Sequence, residues 1–488
     1  MMNISSPGDK QLQFPTSSQV MLELNKGTKF GRYPKISTQQ TFNMIVSDEA
    51  VVDFAGFELA AEIGVGSARE IYNSTFLNRL VVVVNNGVYL VTPQLFSTRV
   101  GTLTTSEGPV FIADNLASQI AIVDGYHVYI YNFITEVFTT VTVDFSPVYI
   151  CYQDTYFIAA DGSKNEWRLS EPSNGLLWPF DAQHVGELQT KPTKIVATVP
   201  LDRMLLVIGE TVTEPWYDVG GQLFPYQRSN SYAIDYGCIS SETIATGYGM
   251  AVWLAQNERS GVAIMVSRGG GQPQQISNDG LDYLFSQLTQ PDQSYGFLFK
   301  LEGHVFYQIT FTEDNYTFLY DFNTNLFFTL TDENLNYHPA KRVAFFNNDY
   351  YFISFKDGNL YRMDSTITTY AGNEIPRIII TNNIRFPLSD RFVLQNLTLT
   401  METGINDEPV PGGAPTTRGL TEIDLSLSRD GGYSFQTIGT KKLQPWGDRR
   451  SLINFYNLGG IQNDAVVKFR FKSYGRFVVL GCLMNLYR

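Results

Sequence analysis

No segment limits the fold of this chain more than residues 77–91, where Leu80-Val81-Val82-Val83-Val84 is followed by Asn86-Gly87 and then by Val88-Tyr89-Leu90-Val91. β-Branched and aromatic residues on both sides favour extended backbone, and Asn-Gly tolerates the positive φ of a two-residue hairpin turn. The pattern predicts two antiparallel strands with the turn at Asn86-Gly87. Six further apolar hairpin units repeat it, around Gln119–Tyr131 (turn at Asp124-Gly125), Tyr149–Ala159, Arg203–Gly209, Met250–Ala255, His304–Thr310 and Tyr350–Phe355. The units begin roughly every 35 to 55 residues, a spacing of repeat architectures. One strand pair cannot bury its own apolar face, whereas a ring of such sheets can. The predicted fold class is all-β: a β-propeller-like ring of six or seven hairpin-based blades followed by a β-sandwich domain.

Composition agrees with many short strands. The 488 residues include 34 Phe and 28 Tyr, which give short strands a large buried area, and 40 Gly and 21 Pro, which serve tight turns. The net charge of -13, from 48 acidic and 35 basic residues, argues against a protein that grips nucleic acid electrostatically. It is compatible with one that surrounds DNA and lets it slide. Cys151, Cys238 and Cys482 are far apart and show no paired spacing, so each is expected to be a buried hydrophobe in a reducing compartment. Met1 to Gln40 is polar, without the apolar core of a signal peptide, and apolar runs such as Leu80–Val84 fall far short of a membrane span. The expectation is a soluble protein, or part of a soluble assembly, with no membrane-spanning segment.

In chain order, residues 1–41 read as an extended N-terminal arm, interrupted by Gly8, Pro15, Gly27 and Gly31. Val46 to Leu59 reads as a strand with a turn at Ala55-Gly56, placed to pair with a late blade and close the ring. Residues 42–372 form the propeller-like domain. Within it Ser277 to Leu288 is the main helical candidate, with Leu281, Leu284, Phe285 and Leu288 on one stripe and Asn278 or Asp279 as cap. Ala371 to Pro376 marks a boundary, and residues 373–488 form the C-terminal β-sandwich. Its strand candidates are Arg377–Thr381, Phe392–Leu399, Thr421–Ser428, Val466–Lys472 and Arg476–Asn485. A long loop from Gly404 to Gly419 contains Pro409 and Pro411.

Motifs for catalysis are missing. His127, His184, His304 and His338 have no metal-ligand spacing, no cysteine pair suits zinc, and Gly269-Gly270-Gly271 lacks the Lys-Ser/Thr of a phosphate loop. The acidic runs at Glu313-Asp314 and Asp332-Glu333 lack the alternation of a calcium loop. No catalytic residue, metal or cofactor is therefore assigned. Ser428-Arg429-Asp430-Gly431-Gly432-Tyr433-Ser434-Phe435 looks like the Asp-box turn of sialidases, in which a carboxylate accepts backbone N–H bonds above a packed aromatic. Asn86, Gly87, Asp124, Gly125, Asp430, Gly431 and Gly432 are thus expected to build structural turns. Basic residues gather late in the chain, at Lys441, Lys442, Arg449, Arg450, Lys468, Arg470, Lys472 and Arg476. Such a cluster suits an acidic partner or a neighbouring subunit.

Several fragments, in order, resemble the packaged-DNA stabilisation proteins of P22-like short-tailed bacteriophages, the tail hub or head-closure proteins. Asn43-Met44 followed by Asp53-Phe54-Ala55-Gly56-Phe57 is similar to the family's opening, with Ala55 where proline is usual. Asn86-Gly87-Val88-Tyr89 is similar to its first blade, and Leu206 to Tyr217 followed by Gly237-Cys238-Ile239-Ser240 to its middle. The closest likeness lies at the end, in Leu425 to Ser434, Arg449-Arg450, Lys468-Phe469-Arg470-Phe471 and Gly481 to Leu486. The resemblance implies a structural virion protein that forms a ring in the tail, closes the portal and retains packaged DNA. It implies a homo-oligomer, a hexamer, between the portal adaptor ring and the tail needle or distal tail protein, with tail spikes or fibres as further neighbours. Such a ring is assembled in the host cytoplasm and encloses DNA without reading its sequence. Pro409, Pro411, Arg449, Arg450, Arg470, Lys472 and Arg476 are the interface candidates. A glycan-binding or sialidase-like propeller remains the alternative.

Overall fold

A computed structural model describes residues 17–32, 38–221, 224–229, 233–259, 261–269, 271–386, 391–405, 421–443, 450–473 and 475–487. The chain divides into two compact units: residues 28–33 with 54–376, and residues 1–27 and 34–53 with 377–488.

The first unit, the blade unit, holds seven antiparallel sheets, numbered I to VII along the chain. Sheet I runs Ala68–Ser74, Arg79–Val84, Gly87–Val91, Ser97–Thr102, each strand paired with the next. Sheets II (Phe111 to Val141), III (Pro147 to Glu187) and IV (Ile195 to Arg228) repeat this four-stranded meander. Sheet V (Gly237 to Gln275) has a first strand split into Gly237–Cys238 and Ala245–Gly247 around a 3-10 turn, and sheet VI covers Tyr295 to Thr329. Sheet VII has only three strands of its own, Ala340–Phe346, Asp349–Ser354 and Leu360–Asp364. Its fourth is the early segment Gly56–Ala61, which pairs with Leu360–Asp364. Gly56 is required there: its N–H donates to the Ile367 carbonyl, and a Cβ would lie 2.4 Å from that same oxygen. The seven apolar units read from sequence each fall in one of these sheets: the first two are the second and third strands of sheets I and II, the third is the first and second strands of sheet III, and the last four are the second strands of sheets IV to VII.

Each sheet buries its two faces against its neighbours. Val81, Val83 and Val88 of sheet I pack on Ile120 and Ile122 of sheet II, while Leu80, Val82 and Val84 pack on Ala344, Phe346 and Ile353 of sheet VII. This explains why the strands read as continuous apolar runs rather than as alternations. Shared cores likewise join II to III, III to IV, IV to V and V to VI. The first strands of sheets VI and VII lie side by side, and Tyr295 and Phe299 of sheet VI also reach the Phe355 and Tyr350 rings in and after the second strand of sheet VII. The expected helix is present as Asp279–Phe285, capped by Asn278, whose side chain accepts from the Leu281 N–H, with Leu281 and Phe285 in the core of sheets V and VI.

The second unit has two antiparallel sheets in a sandwich-like region. One orders Met44–Ser47, Ala50–Asp53, Arg476–Tyr487, Arg391–Ile405 and Arg450–Gln462, and Ser17–Leu22 also pairs with Arg476–Tyr487. The other contains Gln40–Phe42, Arg377–Ile380, Val466–Lys472, Thr421–Ser428 and Gln436–Leu443. Here alternation is regular: Leu397, Leu399 and Met401 are buried on one strand, and Ile423, Leu425 and Leu427 on another.

Three expectations need correction. The hairpin turn of sheet I is Asn85-Asn86, not Asn86-Gly87, because Val84 pairs with Gly87 and the positive φ belongs to Asn85. Gly87 serves another purpose, since a Cβ would meet the Tyr89 ring at 2.6 Å. The segment Val46 to Leu59 is not one strand with a turn at Ala55-Gly56: Asp48-Glu49 turns a hairpin, and Phe54-Ala55 only separates Asp53 from the next strand. Within the expected arm, Ser17–Leu22 is a strand whose partners are the last residues of the chain, Ser17 opposite Tyr487 and Leu22 opposite Cys482.

Candidate functional site

In the blade unit the first strands carry charges among apolar neighbours, at Ala68-Arg69-Glu70-Ile71 and Ala340-Lys341-Arg342-Val343. They meet around a cavity of ≈ 270 Å³ lined by first-strand residues of every sheet except IV, among them Glu70, Phe111, Tyr149, Ala245, Phe297 and Arg342. Arg342 Nε lies 3.3 Å from Glu70 Oε2, and Arg342 Nη1 donates to the Gly296 carbonyl. Burial pushes the Glu70 carboxyl above the ordinary carboxylate range, and Arg342 opposes that rise. Lys341 Nζ reaches Glu242 Oε1 at 2.6 Å and lies 4.2 Å from the Tyr295 ring centre; burial draws its ammonium below the usual lysine value. Ion pairs therefore bridge the segments around this cavity. A cavity of ≈ 270 Å³ has no room for a DNA duplex.

A second cavity of ≈ 500 Å³ adjoins these residues and includes Arg69, Glu107, Glu242, Tyr295 and Lys341. Arg69 is buried and holds the loop between sheets I and II. Its Nε donates to the Gly108 carbonyl, Nη1 to the Asn85 and Thr105 carbonyls, and Nη2 to the Glu107 carbonyl and Thr105 Oγ1. A sialidase-like site needs arginines open to a ligand carboxylate. Both arginines here are already engaged by the chain's own oxygens. Among the described residues no group of His, Cys, Asp or Glu is arranged to hold a metal ion. All three cysteines are free and buried, and burial pushes the Cys151 and Cys238 thiols up to about 12.

Asp124 is a buried turn residue. Its Oδ1 accepts the Tyr126 and His127 N–H groups, and its Oδ2 accepts the Tyr129 and Thr105 hydroxyls at 2.9 Å. Burial pushes its carboxyl up, but these hydrogen bonds outweigh burial and hold it below the usual range. Gly125 beside it has φ +88°. Asp430 accepts from the Tyr433 and Ser434 N–H groups and from the Ser428 and Ser434 hydroxyls, while Gly431 and Gly432 take positive φ. Phe435, the aromatic of this box, is half-buried with Lys468 over its ring, whereas Tyr433 is exposed.

The late basic residues do not form one free patch. Arg476 faces inward, 3.6 Å from the buried Asp53, which also meets buried Arg377 at 3.5 Å. Lys472 pairs with Asp424 at 3.2 Å, and Arg450 with Glu402 at 3.5 Å. Arg470 is exposed on the strand beside Lys468, opposite Asp424. Pro409, Pro411 and Arg449 lie outside the described residues. Sequence reading missed Glu70, Glu242, Lys341 and Arg342, because the partners lie 272 residues apart for Glu70 and Arg342 and 99 apart for Glu242 and Lys341. A charged pair inside an otherwise apolar strand was the available signal.

The family model described as "Bacteriophage P22 Gp10, beta-propeller" matches residues 11–368, most of the chain. The chain belongs to this phage stabilisation family. It is thus a non-enzymatic structural protein of the phage tail, a head-closure protein that stabilises packaged DNA. No curated protein matches. Among solved structures, a streptogramin B lyase is 12% identical with a TM-score of 0.43, covering 63% of this chain and 96% of the lyase. Virginiamycin B lyase from Staphylococcus aureus is 10% identical with a TM-score of 0.43, over 63% and 97%. The N-terminal domain of Nup159 is 10% identical with a TM-score of 0.39, over 64% and 95%. Likenesses this distant say nothing of what a phage stabilisation protein does.

Proposed function

We propose that the seven sheets close into a seven-bladed propeller and that copies of the chain form a ring, a hexamer, below the phage portal. The observation that carries this reading is the family match over sheets I to VII. Closure is supported by the shared core of sheets I and VII and by the loan of Gly56–Ala61 to sheet VII. In this reading the ring links the portal adaptor to the needle or distal tail, and DNA passes between subunits, since each chain's own enclosed space is filled. An excess of acidic over basic residues suits that passage, because phosphate-gripping lysines and arginines would slow DNA exit. The interface candidates Arg450, Arg470 and Lys472 belong to the same reading.

Mass photometry of the purified chain with and without portal–adaptor complex tests it. The expected result is a discrete particle of about six added copies on the adaptor, following closed cyclic symmetry. A chain that stays monomeric and ignores the adaptor would sink the reading.

A further inference from the structure

The cavity of ≈ 500 Å³ beside Arg69 and Lys341 is large enough for a small ligand. It collects residues from sheets I, V, VI and VII and from the loop joining I to II, all of them in the blade unit.

Its polar groups are of two kinds. Lys341 is buried and carries three N–H groups, of which Glu242 Oε1 takes one at 2.6 Å. The Tyr295 and Phe355 rings lie 4.2 and 5.6 Å from its ammonium, and no second oxygen of the described residues accepts from it. The Tyr295 hydroxyl is buried too, and Thr310 approaches it without completing a hydrogen bond. Buried donors that lack an acceptor are costly, and a ligand oxygen removes that cost. At the mouth the groups are acceptors. Glu107 and Asp292 are exposed, and their carboxylates have no ion-pair or hydrogen-bond partner among the described residues. The exposed Ser67 and Ser106 stand in the same wall.

The mixture of charges selects the ligand. Glu107, Glu242 and Asp292 face the cavity together with Arg69 and Lys341, and the N–H groups of Arg69 are all taken by the chain's own oxygens. An anion that enters meets the two unpaired carboxylates, and a cation meets the buried ammonium. A hydroxyl meets neither penalty, because it donates to a carboxylate and accepts from an ammonium. A neutral ring bearing several hydroxyls does both at once, with the half-buried Phe355 as an apolar wall.

We propose that this cavity binds a neutral hexose, free or as the end of a glycan, whose hydroxyls accept from Lys341 and donate to Glu107 and Asp292. The site lies within one chain, so it does not depend on the ring reading.

Calorimetric titration of the full-length chain with glucose, galactose, mannose, N-acetylglucosamine, maltose and lactose tests it. At least one neutral sugar is expected to bind saturably, and its uronate and amino-sugar counterparts about tenfold more weakly. A disaccharide that binds more tightly than its hexose identifies a glycan end as the source, and equal binding identifies the free sugar. Glu107→Gln/Asp292→Asn changes only exposed side chains, and an unchanged Tm checks that it is folded. This variant should weaken the neutral sugar by about tenfold and favour the uronate over the amino sugar. It decides the matter even where Glu242→Gln/Lys341→Met, which should abolish binding, fails to fold. Absence of saturable binding by every one of these sugars overturns the assignment. So does binding that the exposed variant leaves unchanged, and so does a charged counterpart that binds as tightly as the neutral sugar.

Discussion

At the residue scale the filled space of the blade unit rests on pairs. Replacing one partner of a buried ion pair leaves the other charge without compensation, so Arg342→Met is expected to destabilise the protein by about 3–5 kcal/mol. Glu70→Gln/Arg342→Met should recover part of that loss, because the pair is then replaced by neutral groups. Urea unfolding of both variants reads the difference, and equal losses would show that the pair is not coupled. Asp430 gives a pH-dependent counterpart. Hydrogen bonds from the Ser428 and Ser434 hydroxyls and from the Ser434 N–H depress its carboxyl well below the usual value. A depressed carboxyl contributes stability above its unfolded value, about 3.9, and loses it as pH falls through the folded one. Exchange protection of the Tyr433 and Ser434 amides should therefore fall in acid in wild type, and be low and insensitive to pH in Asp430→Ala.

At the element scale the sequence shows the hairpins plainly and the long-range pairings poorly. Runs such as Leu80–Val84 are legible because both faces of the strand are buried. Gln436–Leu443 is not, since its residues are exposed or half-buried and alternate weakly. Arg450–Gln462 is hidden by Gly459-Gly460 and by the positive φ of Asn457. The ion pairs between first strands are illegible for a different reason: neither Glu70 nor Arg342 has a local neighbour that identifies its partner. Gly56 tests the long-range pairing directly. Gly56→Val places side-chain atoms against the Ile367 and Thr369 carbonyls and is expected to cost about 1–3 kcal/mol or more. A lowered Tm by calorimetry would agree; an unchanged one would mean that Gly56–Ala61 is not needed to complete sheet VII.

At the scale of the whole molecule, charge separates holding DNA from gripping it. A chain with net charge -13 whose basic strands are matched by Glu422 and Asp424 is expected to show no duplex binding tighter than about 10⁻⁴ M at physiological salt. Fluorescence anisotropy with a labelled duplex checks this, and micromolar binding would require a basic DNA-facing surface after all. In the proposed ring, retention of the genome then depends on obstruction and not on affinity.

The strand that residues 56–61 lend to sheet VII, and the pairing of Ser17–Leu22 with residues 482–487, also bear on biosynthesis. A ribosome working at about 5–20 residues per second releases Ser17–Leu22 roughly 20–90 s before residues 482–487 exist. Sheets I to VI can form as they emerge, but Gly56–Ala61 waits for Leu360–Asp364, and Ser17–Leu22 waits for residues 482–487. Contacts so distant in sequence slow folding and prolong the exposure of unpaired edges. A chain cut before Arg476 leaves both Ser17–Leu22 and Ala50–Asp53 without Arg476–Tyr487, the strand with which each of them pairs.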